Sequence, residues 1–174
     1  GASDPRELVR QAHALGYAAL AITDECSLAG IVRAYEASRE TGLALIVGSE
    51  FRLADGNVLT VLVTSPDSYT ELCGLITEAR RRSKKGRYSV DYADFVRTIR
   101  HGLVLWSPPW LPRGANVPLP ETAAWLREHF DGRAWIAWER TLHPQDRGRF
   151  AKLRELAEQS GLPLTAAGDV HMHI

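Results

Sequence analysis

Short, continuous apolar runs recur along the chain, each set off from the next by helical periodicity or a turn. YAALAIT (17–23), LALIVG (43–48), LVLWS (103–107), AWIAWE (134–139) and LPLTAAGD (162–169) have the length of strands. They lack a regular polar alternation, as strands buried on both faces of a parallel sheet do. EFRLADGNVLTVLVT (50–64) reads as a hairpin with Asp55-Gly56 at its turn. Between these runs lie helices with start and stop signals. SDPRELVRQAHALG has Ser3 or Asp4 as cap, Pro5 in the first turn, Glu7 placed for a capping box and Gly16 as terminator. SLAGIVRAYEASRETG (27–42), SPDSYTELCGLITEARRR (65–82), SVDYADFVRTIRHG (89–102), ETAAWLREHF (121–130) and HPQDRGRFAKLRELAEQSG (143–161) follow, and PPWLPRGANVPLP (108–120) is a loop. Strands alternating with helices predict an α/β fold with mainly parallel pairing, either a barrel or a doubly wound sheet. Pattern alone does not choose between them. In both, function sits at the C-terminal ends of strands.

Length and composition narrow the setting. The 174 residues make one domain by length, and 45% hydrophobic residues are enough for a substantial core. No apolar run has bilayer-spanning length, and no signal peptide is visible. Two cysteines, Cys26 and Cys73, form no framework, so free thiols in a reducing cytoplasm are expected. The chain starts on Gly1 rather than Met and is expected to be a segment of a longer protein. Formal net charge is zero, which argues against a nucleic-acid-binding module as a whole. Yet ARRRSKKGR concentrates Arg80, Arg81, Arg82, Lys84, Lys85 and Arg87. That run reads either as a contact to a DNA phosphate backbone or as a solvated helix end favoured by the dipole. The tryptophans at 106, 110, 125, 135 and 138 fit core and interdomain packing better than base stacking.

The strand-end rule selects a few residues of consistent type. The first strand delivers Asp24 and Glu25, the second Glu50, the strand AWIAWE Glu139, and the last Asp169, His171 and His173. Carboxylates and imidazoles together suit divalent ions such as Zn, Mn or Fe. Bland readings compete. Asp24 could cap a helix beginning near Ser27, Glu139 could be a solvated loop acid, and His173 an incidental loop residue. His13, His101, His129 and His143 lie in or beside helices without a ligand-like neighbour, and are read as non-metal residues.

ALGYAALAITDECSLAGIVRAYEASRETGLALIVGSEF, SYTELCGLITEARRRSKKGRY and GLPLTAAGDVHMH together resemble the PHP (polymerase and histidinol phosphatase) domain of bacterial C-family DNA polymerases, closest to their error-prone translesion branch. The likeness covers nearly the whole chain, 1–174, in order. It implies a distorted βα barrel, here lacking its first strand, with a metal cleft at the C-terminal strand ends. Active members line that cleft with about nine His, Asp, Glu and Cys ligands and hydrolyse phosphoesters. The resemblance places the metal-bridging acid on Glu50 and the closing Asp and His on Asp169 and His171.

The departures from that pattern matter as much. Glu25 stands where active members have His. Val58, Leu59 and Thr60 occupy a stretch where His is expected, and Pro108 and Pro109 one where Cys or His is expected. Glu50, Asp169 and His171, with Glu25 as a carboxylate substitute, could hold one divalent ion (Mn, Zn or Mg) and no trinuclear centre. The expectation is therefore a PHP domain degenerate as a phosphoesterase, without catalytic residues of its own. The resemblance implies that its parent is a cytoplasmic, Mg-dependent nucleotidyltransferase for DNA repair and translesion synthesis in the SOS response. Its partners would be DNA, the palm and thumb domains and translesion accessory proteins, with no membrane. The competing expectations are an active metal-dependent phosphoesterase or 3′–5′ exonuclease and, less well supported, a free-standing histidinol-phosphate phosphatase.

Overall fold

The structure, a computed structural model, describes residues 3–109, 119–139 and 144–168. It contains α1 (Pro5–Ala14), β1 (Ala19–Ile22), α2 (Ile31–Thr41), β2 (Ala44–Arg52), β3 (Val58–Leu62), α3 (Pro66–Arg81), α4 (Tyr92–Thr98), β4 (Leu103–Ser107), α5 (Leu119–Phe130), β5 (Ala134–Glu139), α6 (Asp146–Ser160) and β6 (Leu164–Ala167). The described residues fall into two compact units, the first built from 3–51 and 61–102, the second from 52–60 and 103–168. The β2–β3 hairpin belongs to the first by its base and to the second by its tip.

In the first unit, α1 forms where the caps predict. Asp4 accepts from the Arg6 amide, and Glu7 reaches back to the Asp4 amide, closing a capping box. Its apolar stripe buries Val9 and Ala12 with Ile22 of β1, Ala34 and Ala37 of α2, and Leu43. Each fully buried Val, Leu or Ile contributes about 1.5–3 kcal/mol. β1 and β2 pair in parallel, Ala19 opposite Ala44 through Ile22 opposite Val47. Gly48 sits where an added Cβ would lie 2.7 Å from the Val61 carbonyl, so the hairpin base closes over a residue without a side chain. α3 is capped by a Ser65–Ser68 box, and α4 by Asp91. Phe51 and Phe95, both fully buried, meet edge to face at 5.5 Å between ring centroids.

In the second unit, β4, β5 and β6 pair in parallel in chain order, with Val104 opposite Ala134 and Ile136 opposite Leu164. Trp106, Leu126, Phe130, Ile136, Leu153 and Leu162 are buried there. The hairpin tip carries a buried amide, Asn57. It accepts from the Trp106 indole N–H at 2.7 Å and donates to Asp55 at 2.9 Å. The Trp106 N–H thus finds the partner that a fully buried indole needs.

The predicted parallel α/β pattern holds, and LVLWS and AWIAWE are β4 and β5 residue for residue. One helix start is a correction. The segment from Ser27 turns helical only at Ile31, because 27–30 are tied elsewhere: the Ser27 amide to Ser49 Oγ at 3.1 Å and the Ala29 amide to Ser27 Oγ at 3.2 Å. Both cysteines are free thiols. Among the described residues no helix is long and apolar enough to cross a membrane.

Candidate functional site

The geometry of the site starts from the β1–β2 register. Ile22 lies opposite Val47, and the same offset carried past the end of β1 sets Glu25 opposite Glu50. The two residues form a parallel bridge in which the Cys26 amide donates to the Glu50 carbonyl at 2.8 Å and the Glu50 amide to the Asp24 carbonyl at 3.3 Å. Neighbouring strands lie about 4.8 Å apart. Two acids that are 25 positions apart in sequence are thereby brought together at the strand ends.

The segment holding Glu25 is cinched from several directions. Ser49, fully buried, donates through Oγ to the Asp24 carbonyl at 2.8 Å. The Arg80 guanidinium, from the last turn of α3, donates to the Cys26 carbonyl at 3.0 and 3.2 Å and to the Glu25 carbonyl at 3.3 Å. These bonds fix Cys26 in a left-handed conformation, φ 46°, with its side chain buried. Burial pushes the Cys26 thiol above its ordinary pKa against the opposing pull of Arg80. The Tyr88 hydroxyl donates to Glu25 Oε1 at 2.6 Å, and its ring lies under Arg80 at 5.5 Å and edge-on to Phe51 at 6.4 Å. Glu25 therefore has an oxygen already engaged by a phenol.

The other candidates sit in different surroundings. Asp24 is exposed and does not cap α2. The N-cap is Gly30, without a side-chain hydrogen bond, although Asp24 Oδ2 would lie 2.8 Å from a Cβ built there. Glu139, at the end of β5, is not simply solvated: it is half-buried and accepts from Ser107 Oγ at 2.9 Å. Asp169, His171 and His173 lie outside the described residues, as does His143. His101 has a carboxylate neighbour after all. Its Nδ1 lies 2.6 Å from Glu71 Oε1, while Glu71 Oε2 accepts the Arg100 and His101 amides at 2.9 and 3.0 Å. Burial works to raise the Glu71 pKa, but these bonds outweigh it and hold it below the usual value. That pairing ties α3 to the turn after α4 and involves no second acid, so it reads as structural. Among the described residues no three His, Cys, Asp or Glu side chains come together. Sequence reasoning missed Arg80 and Tyr88 as supports of Glu25. The available signal was their position at the two ends of the basic run, but nothing local says that these two fold back to residue 25.

The PHP domain family matches residues 1–160. The chain belongs to that family. This PHP domain is 49% identical over its whole length to an error-prone DNA polymerase of Pseudomonas fluorescens and 48% identical to one of Dechloromonas aromatica. It is 49% identical over 99% of its length to one of Xanthomonas axonopodis pv. citri. The chain spans about one sixth of these relatives, 16–17% of their length. Its fold is shared with a Bifidobacterium adolescentis protein provisionally described as a metal-dependent phosphoesterase. That match has a TM-score of 0.69 and 20% identity, covering 99% of this chain and 84% of the other. An amidohydrolase of Chromobacterium violaceum, solved with bound sulfate and no metal, matches at a TM-score of 0.68 and 16% identity, covering 98% and 83%. The mixed α/β architecture, consistent with a distorted PHP barrel, agrees with the fold expected from the strand and helix pattern.

Proposed function

We propose that this PHP domain is the N-terminal segment of a cytoplasmic error-prone DNA polymerase, and that within it the domain is structural, with a degenerate hydrolytic centre. The similarity to error-prone polymerases along the whole chain supports the parent. The single observation that carries the degenerate reading is Glu25. A carboxylate stands where metal-dependent members place an imidazole, and Tyr88 already bonds it. The donor set fits a multinuclear centre poorly. Glu25 and Glu50 offer only hard carboxylate oxygens, and the positions at Val58–Thr60 and Pro108–Pro109 offer no side-chain imidazole or thiolate at all. With Asp169 and His171 such a set would hold one hard ion, Mg or Mn, which would supply charge neutralisation between the acids. A role in packing against palm and thumb needs the barrel and no ions. Lesion bypass and recruitment of accessory proteins in repair would belong to the polymerase as a whole.

The test uses the full-length polymerase. Metal content after desalting should not exceed one divalent ion attributable to this domain. No mononucleotide or phosphate should be released by Mn, Zn or Mg under conditions that support Mg-dependent primer extension. Release that disappears in Glu50→Ala and in Asp169→Ala would replace this reading with the active exonuclease.

A further inference from the structure

The basic run 80–87 divides into two groups that point to different tasks. Arg80 and Arg82 are committed to partners within the fold. Arg80 holds the Glu25 and Cys26 carbonyls, and Arg82 grips Asp94 through both terminal guanidinium nitrogens at 2.6 and 2.9 Å. Arg81, Lys84, Lys85 and Arg87 are all exposed. Among the described residues none of these four makes an ion pair or hydrogen bond through its side chain.

The nearby acids are occupied. Glu78 accepts from Arg97 at 2.6 Å, Asp94 from Arg82 and Arg97, Asp91 from the Asp94 amide, and Glu25 from Tyr88. Among the described residues the four outward charges therefore have no carboxylate at ion-pair distance. They are also held in a defined turn. The Arg82 amide bonds the Glu78 carbonyl, the Ser83 amide the Arg80 carbonyl, the Arg87 amide the Lys84 carbonyl and the Ser89 amide the Ala79 carbonyl, at 3.0–3.2 Å. Gly86 supplies the left-handed φ of 84° that reverses the chain. A flexible tail would lose its freedom on meeting a polyanion; this turn has already been ordered.

We infer that this turn, with Arg81, Lys84, Lys85 and Arg87, is a docking surface for the phosphodiester backbone of the polymerase's template–primer DNA. It touches phosphates without reading sequence. Four clustered, exposed cations without an ion-pair partner, on a chain of zero net charge, mark a local anion surface rather than a generally basic protein. Phosphodiester is favoured over an acidic protein face because the relatives matched along the whole chain are DNA polymerases. The inference rests on the polymerase reading above.

The experiment measures binding of the full-length polymerase to a primer–template across a salt series. The variant carries Arg81→Gln, Lys84→Gln, Lys85→Gln and Arg87→Gln together. A control removes four other exposed cations, through Arg39→Gln, Arg100→Gln, Arg147→Gln and Lys152→Gln. The slope of log K against log salt should become shallower by about 0.9 for each DNA phosphate that the variant leaves unneutralised. The change should be equal for unrelated DNA sequences, and the control should keep the wild-type slope. An unchanged slope in the turn variant, or an equal change in the control, overturns the inference. Primer extension at low salt separates the two levels. Its absence from the wild-type parent sinks the polymerase reading, whereas extension with an unchanged slope sinks only the docking surface.

Discussion

Arg82 and its neighbours in the same basic run show what surroundings do to identical chemistry. Around Asp94 the cations are satisfied. The carboxylate is 2% exposed, held by Arg82 and Arg97, and it accepts the Asp91 amide at 3.0 Å. Burial alone would raise its pKa, but these bonds lower it from 3.8 to about 2. Two residues further on, Lys84 and Lys85 stand exposed on a turn with no acid committed to them. The first region uses charge to lock α3 against α4; the second leaves charge available. A count of Arg and Lys in the run does not distinguish the two roles. The distinction lies in which carboxylates the fold delivers to which cation.

The largest effect that would sharpen this contrast is expected from Asp94→Ala. Removing a buried acid strands two guanidinium groups and an amide, though their partial exposure lets water take over some of the hydrogen bonding. The expected destabilisation is about 2–3 kcal/mol, read by urea unfolding. The same residue sets a pH dependence. Its folded pKa lies below the unfolded value, so its contribution is complete above pH 3.8 and is lost as the pH falls toward about 2. Wild-type stability should drop through that window, and the Asp94→Ala curve should be flatter there. If the two curves run parallel, the lock is not electrostatic.

Arg80→Ala comes next, because it removes the bonds to the carbonyls of Glu25 and Cys26. A destabilisation of about 1.5 kcal/mol is expected, with faster hydrogen exchange at the Cys26 amide, which bonds Glu50. Unchanged exchange would mean that the bridge to Glu50 holds the segment without Arg80. The smallest effect should come from neutralising Arg81, Lys84, Lys85 and Arg87, which are not committed to the fold. Stability should change by less than about 0.5 kcal/mol per substitution in the same urea titration. A larger change would show that the outward set is structural like the inward one.

Much of the architecture was legible in the chain. Asp4-Pro5 and Glu7 announce α1, Ser65 announces α3, and LVLWS and AWIAWE are strands as they stand, because caps and apolar periodicity act over a few residues. The start of α2 was not legible, since Ser49, distant in sequence, competes for the Ser27 amide. Glu25 and Glu50 were legible as strand-end acids. Their adjacency is a matter of register, and the Tyr88 phenol on Glu25 had no local sign.

Read without its fold, the chain already carries the order and type of the elements, the family, and the kinds of donor atom available at the strand ends. These depend on backbone preference and side-chain chemistry, which each residue carries with it. Only packing sets the acid at 25 beside the acid at 50, and gives Arg80 and Arg82 partners in the fold while Arg81 and Lys84 have none among the described residues. Hydrogen bonds and ion pairs act over about 3 Å, so their partners exist only once distant segments have been packed together.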